Sequence, residues 1–490
     1  MLRRLLLIGA LVCALAAASG YAFVTALAGP APLPAPERGV VLDDVVLVEP
    51  GVGRNAHRRL VIKGGEISEI GDAHGSSDLA GAYVLPGLVD AHAHFPPSYL
   101  PGQVELYAYL FLRHGVTGIR VPADVHPGTS SWAKRQIEAG AFAGPRISTC
   151  GRFVDGPNPV FASALVVTNA DEARAAVDEI AAAGFDCVKA YNELDTVTLG
   201  AVRERAAEHG LPVIGHIPWR LSFEEARLDD VQHLFGFHRR NSADPFEALE
   251  ERLHLPDERV EAVIAAALRD DVAMTTTLVA MDRISRARQI ARDPHDPMRR
   301  WLPPWYAEAL WRIPGGINPA NRMTDEELAM LQEVNAGLVR VVPRLHAAGV
   351  TLRAGTDAFA PPIVPGASLH EELALYVESG LSPEEALAIA TRGSAGALPV
   401  PGLGRLQPGA PADLALFRDD PTRDLAALDT LVAVMQDGRL YTREALDAQA
   451  ARYRADFEGL FQQGIATPAI RAGLDFMLSR AMASDGEERD

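Results

Sequence analysis

The chain has 490 residues, of which 48% are hydrophobic, 6% aromatic and 22% charged, with a formal net charge of -18. That profile fits a folded globular protein of two or three domains and excludes disordered and fibrous classes. The acidic balance argues against a nucleic-acid partner, because affinity for phosphate backbones rests on clustered Lys and Arg.

The chain opens on Arg3 and Arg4 followed by Leu5 to Ala28 without a charge. About 20 such residues can cross a bilayer with the arginines on the cytoplasmic side. The small residues at Ala26-Leu27-Ala28 equally suit a cleaved signal peptide. Both readings place the rest outside the cytoplasm, membrane-anchored or secreted. Residues 1-37 are therefore expected to be an anchor or signal segment plus a linker.

Residues 38-85 and 399-445 carry short β-branched runs with Gly-Gly, Gly-Asp and Asp-Gly turns, and are expected to form one composite β-sandwich from both flanks. Between them, residues 86-398 alternate apolar strand-like runs with Ala/Glu/Arg-rich helical stretches. That alternation over more than 250 residues predicts an α/β fold, a (β/α)8 TIM-like barrel. Residues 446-490 read as a helical tail. The Trp- and Pro-rich insert from Asp282 to Asn321 is the expected lid or wall of the site.

There are three cysteines, too few for a disulfide framework or a Cys-based zinc finger. Cys13 falls in the apolar start. Cys150 and Cys187 sit in apolar runs and are expected as two buried free thiols, with pairing as the alternative.

The chemistry gathers at predicted strand ends. His92 and His94 close the run Leu88-Val89-Asp90-Ala91-His92-Ala93-His94, and residues i and i+2 of a strand face the same side. Lys189 ends a buried run in which an unpaired ammonium is costly. His216, His233 and Asp357 close three later runs, and histidine and carboxylate are ordinary zinc ligands. Each has a bland reading alone: a rim lysine, a core histidine, a helix cap. As an ordered set at strand C-termini they mark the barrel end that carries active sites.

The order His-X-His, Lys, His, His, Asp resembles the amidohydrolase superfamily, particularly its imidazolonepropionase-like and prolidase-like branch (Xaa-Pro dipeptidases). The resemblance covers nearly the whole chain after the apolar start. Val84-Leu85-Pro86-Gly87-Leu88-Val89-Asp90-Ala91-His92-Ala93-His94 is similar to the family's first-strand motif. Gly366 to Leu373 and Gly404 to Leu414 are similar to its post-barrel helix and its return to the sandwich. Gln232-His233 stands where the family more often has Glu-His, and Leu228-Asp229-Asp230 replaces a glycine-rich segment.

The resemblance implies two divalent metal ions, zinc by default. His92, His94 and Asp357 would hold one and His216 and His233 the other, with Lys189 bridging them as a carbamate. It further implies a metal-bridging hydroxide that attacks a carbonyl, with Asp357 shuttling the proton and a C-N bond of an amide or dipeptide broken. Tyr191, on the same strand face as Lys189, either hydrogen-bonds the oxyanion or is a rim aromatic. Arg120 and Arg353 are read first as structural ion-pair partners and second as binders of a substrate carboxylate. His370 is expected to pack or cap, and His126 and His238 to sit in loops facing substrate. A lactone or phosphotriester hydrolase on the same metals is the alternative, and a non-catalytic metal-binding scaffold a third. A homo-oligomer remains open.

Overall fold

The computed structural model describes residues 20-161, 163-237, 253, 255-314 and 316-487. The expected apolar start therefore lies largely outside the described residues, as does His238. Residues 20-28 are helical, and among the described residues no helix is long and apolar enough to cross a membrane.

Seven strands drawn from both flanks share one sheet. The early flank supplies β1 (Val40–Glu49), β2 (Gly53–Lys63), β3 (Glu66–Asp72) and β4 (Tyr83–Pro86). The late flank returns after the barrel as β15 (Leu414–Phe417), β16 (Leu431–Gln436) and β17 (Arg439–Thr442). β4 joins the halves, parallel to β1 and antiparallel to β15. Leu42, Leu60, Ile62, Leu414, Leu416 and Met435 form its apolar core. The Gly64-Gly65 turn between β2 and β3 has both residues at positive φ, 60° and 92°, which glycine adopts without a Cβ penalty.

The barrel strands are β5 (Leu88–Asp90), β6 (Val116–Val121), β7 (Arg146–Thr149) with β8 (Phe153–Asp155), β10 (Val188–Ala190), β11 (Val213–Gly215), β12 (Asp230–Gln232), β13 (Ala273–Thr275) and β14 (Leu352–Arg353). A short β9 (Leu165–Val166) edges β8. Neighbouring strands among them pair in parallel. β7 pairs with β6 and β8 with β10, so residues 146-155 serve as one bent barrel strand. The ring closes where Ala91 N donates to Ala354 O at 2.8 Å and Ala93 bridges Ala358. Buried Val, Ile and Ala on both faces of these strands explain why their sequences read as continuous apolar runs.

Cys150 and Cys187 form a disulfide, which overturns the expectation of two free thiols. The cause is barrel register. Asp186 N donates to Thr149 O at 2.8 Å, so the residue after β7 and the residue before β10 lie side by side, with Cα atoms 4.6 Å apart.

The linker from Gly29 to Pro36 is a docked strap. Leu33 is buried, its carbonyl accepts from Ala143 N, and the Ala31 carbonyl accepts from Gln449 Nε2. The insert packs as a wall: Trp305 and Tyr306 are buried, and the Tyr306 ring lies 6.2 Å from that of Tyr107. Within it, Arg283 reaches Asp296, Glu371 and the Pro362 carbonyl, bracing the loop that follows Asp357.

Candidate metal centre

Lys189 lies in β10, His216 and His233 follow directly on β11 and β12, and His92, His94 and Asp357 lie within four residues of the ends of β5 and β14. Gly215 precedes His216 with φ 141°, and a Cβ there would meet the Ala190 carbonyl at 2.1 Å, so only glycine lets β11 present this histidine so close to β10. His233, Thr277 and Asp357 are non-glycine residues at φ 60°, 53° and 60°. Such conformations cost about 1–3 kcal/mol each and cluster where side-chain aim matters.

His92 Nε2 and His94 Nε2 lie 3.2 Å apart, and each is 3.2 Å from Asp357 Oδ1. Three ligand atoms around a tetrahedral zinc at about 2.0–2.1 Å are separated by about 3.3 Å, so this triangle fits one face of such a site. Among the described residues these three are the cluster of His, Cys, Asp or Glu whose ligand atoms converge. His233 sits beside them, its ring 4.6 Å from His92 and 4.9 Å from His216.

The far nitrogens of three of the four imidazoles are held by partners that sequence reasoning missed. His216 Nδ1 donates to Asn192 Oδ1 at 2.7 Å, His94 Nδ1 to the Ala123 carbonyl at 2.5 Å, and His233 Nδ1 pairs with the Thr277 hydroxyl at 2.6 Å. Such bonds fix the tautomer and leave Nε2 as the ligating atom. Asn192 and Thr277 each lie a few residues beyond a strand end, and no spacing rule marks them.

Lys189 is buried in the same cavity and donates from Nζ to Gln232 Oε1. Burial pushes its ammonium down to about 7, against the pull of Asp357. Gln232 Nε2 is buried without a partner among the described residues. A lysine whose ammonium is disfavoured by burial, beside an unused amide donor, fits a carbamate, whose oxygens would accept that bond. Burial pushes the Asp357 carboxyl up, but the imidazoles of His92 and His94 outweigh it and hold it well below the usual carboxylate range. Burial holds His92 and His216 well below the ordinary imidazole range, so both are neutral, as metal ligation requires.

Tyr191 stands at the rim with its ring 4.3 Å from His216 and 5.7 Å from Lys189 Nζ. Burial, with Asp357 and Asp155 nearby, pushes its hydroxyl up, so it stays protonated. Phe153, Phe161 and Phe235 extend an aromatic wall around it.

Arg120 and Arg353 are consumed below the site. Both reach Asp230 Oδ2, at 2.7 and 2.6 Å, which supports their reading as structural ion-pair partners. His370 packs as expected, its Nε2 donating to the His114 carbonyl. His126 meets Ser98 and the Tyr99 ring in a rim loop.

A family model described as "Amidohydrolase family" matches residues 83–442. The chain belongs to this family. It carries that family's TIM-type barrel. An imidazolonepropionase from Anaeromyxobacter dehalogenans is 29% identical over 265 residues, 44% of this chain and 61% of the relative. An adenine deaminase from Methanoculleus marisnigri is 47% identical over 68 residues, 13% of this chain and 12% of that protein. This amidohydrolase thus spans less than two thirds of those curated relatives. Among solved structures, a bottromycin amidohydrolase superposes with TM-score 0.67 at 25% identity, covering 89% of this chain and 93% of that one. A Xaa-Pro dipeptidase with bound methionine gives 0.62 at 19% identity, with 82% and 100% covered, and shares the fold.

Proposed function

We propose that this amidohydrolase cleaves an amide or small peptide bond at a binuclear divalent metal site, and that Lys189 bridges the two ions as a carbamate. The observation that carries the reading is the triangle of His92, His94 and Asp357, with His216, His233 and Lys189 gathered beside it at the C-terminal barrel mouth. Burial favours the free Lys189 amine, which would add to CO2 and release one proton to give an anionic ligand.

When bound, the metals lower the pKa of a water and polarise the scissile carbonyl. The chain's own groups do the rest. Asp357, 25% exposed where His92 is 2% exposed, faces the mouth. Its second oxygen, Oδ2, takes the proton of the attacking water and returns it to the leaving nitrogen. The protonated Tyr191 hydroxyl donates toward the oxygen on which negative charge develops. The aromatic wall of Phe153, Phe161, Tyr191 and Phe235 favours a substrate with an apolar group next to the bond, such as an acyl-amino acid or an Xaa-Pro dipeptide. Arg120 and Arg353 are withdrawn from carboxylate recognition by Asp230.

The buried Cys150–Cys187 disulfide and the uncharged start from Leu5 support a catalytic domain outside the cytoplasm, where disulfides persist. Elemental analysis of protein expressed with bicarbonate, beside Lys189→Ala, tests the site. About two divalent ions per chain, falling sharply in the variant, is the expected result. One ion or none in the wild type would overturn the bridged centre.

A further inference from the structure

A second cavity, of about 440 Å³, lies outside the barrel mouth and is lined by Arg113, Arg300, Arg443 and Arg454. In a chain of net charge -18 this concentration of guanidinium is out of character. Among the described residues, only Asp429 and Asp447 line it with negative charge. Asp447 is already shared, accepting from Arg113 Nη2 at 2.9 Å and from Arg443 Nε at 2.7 Å. Arg300 and Arg454 have no carboxylate at ion-pair distance among the described residues.

The cations are held close to one another. The Trp301 ring carries Arg300 at 4.8 Å from its centroid and Arg113 at 5.7 Å. Burial pushes the Arg113 guanidinium down, and Arg443 and Arg300 push it the same way. Arg113 Nε is itself buried without a partner. His114 and His370 also line the cavity, and both are held low by burial, so they add hydrogen-bonding capacity without charge. Ala450 and Ala451 lie on its helix side, between Arg443 and Arg454 on the helix Arg443–Phe457, and leave the space open. Four planar forks around an under-neutralised space are what phosphate oxygens satisfy best.

We propose that this cavity binds a small anion carrying phosphate groups, at a site separate from the metal centre. The phosphate has two conceivable sources. One is a free phosphorylated compound. The other is an anionic lipid headgroup, because the helix Arg443–Phe457 also holds the strap through Gln449 and the Ala31 carbonyl, next to the chain's apolar start.

The test compares the full-length, metal-loaded protein with the double variant Arg300→Ala/Arg454→Ala, using inorganic pyrophosphate by calorimetry and phosphatidylglycerol against phosphatidylcholine vesicles by flotation. Neither arginine holds an ion pair among the described residues, so the variant keeps the fold, and Arg174→Ala on a distant helix serves as control. Any anion bound at the metals is common to all three proteins. Pyrophosphate binding that weakens at least ten-fold in the double variant alone supports a free-phosphate ligand. A phosphatidylglycerol-dependent gain lost in the double variant, with pyrophosphate silent, supports the headgroup. If both probes bind the double variant as they bind the wild type, or bind neither, the site does not exist.

Discussion

Asp90 Oδ2 accepts a 2.6 Å hydrogen bond from Thr356 Oγ1 across 266 residues of chain, while its Oδ1 takes the backbone N–H groups of Thr356 and His92 at 3.1 Å. One buried carboxyl thus fastens the end of β5 to the loop after β14 and sets the approach of His92 to Asp357. Gly355 makes that approach feasible, since a Cβ there would stand 2.9 Å from His92 Cβ. Replacing Asp90 by Ala strands the Thr356 hydroxyl and the His92 N–H, each costing about 1–3 kcal/mol if it stays unpaired, while Thr356 N keeps its bond to the His92 carbonyl. Asp90→Ala is expected to lose at least about 2 kcal/mol in urea unfolding and most of its metal by elemental analysis. A variant that keeps wild-type metal content would show that the tie does not position the ligands.

Glu372 gives the protein a pH dependence. It accepts from Thr276 Oγ1 and, at 2.7 Å, from Val279 N, and burial raises its carboxyl from 4.5 to about 7. Between those values the folded chain holds a proton that the unfolded chain has released. Its contribution to stability therefore falls as pH rises from 4.5 through 7, and the full penalty stands above that window. A shift of this size corresponds to about 3 kcal/mol at most. Glu372→Gln cannot ionise, so its urea midpoint should fall less than that of the wild type between pH 5 and pH 8. Parallel pH profiles for the two proteins would contradict the assignment.

The six candidate ligands were legible because each closes an apolar run, and barrel geometry collects strand ends whatever their spacing in sequence. Their supports were not. Asn192 under His216, Thr277 under His233 and Thr356 on Asp90 are polar residues in ordinary turns, and only the closed barrel brings each to its partner. The Cys150–Cys187 bond was missed for the same reason, since it depends on which strands are neighbours. The arginine cavity draws on three distant segments, around residues 113, 300 and 443–454, and has no local signature at all.

Asp230 is the most consequential residue that the sequence disguised as a departure from a glycine-rich segment. Burial pushes its carboxyl up, but Arg120 and Arg353 hold it below the usual carboxylate range. It also accepts from the Thr275 hydroxyl at 2.9 Å. Removing it leaves the fully buried Arg120 guanidinium, and its neighbour Arg353, without a counter-charge. Asp230→Ala should lose about 3–5 kcal/mol, and most of that should return in the triple variant with Arg120→Met and Arg353→Met, because uncompensated charge is what destabilises. If the triple variant is as unstable as the single one, packing and not charge governs this layer.

The disulfide closes a loop with a sequence separation of 37 and ends two residues before Lys189. By loop-closure entropy, it should contribute about 3–4 kcal/mol. Cys150→Ala/Cys187→Ala is expected to lose that much in urea unfolding, and the wild type unfolded with reductant should match it, while reductant leaves the variant unchanged. Metal content separates two roles for the bond. Lys189 is held from both sides of the barrel by the pairing of β10 with β8 and β11, so the variant should keep about two ions per folded chain. If ions are lost along with the sulfurs, the bond fixes the bridging lysine as well as the fold.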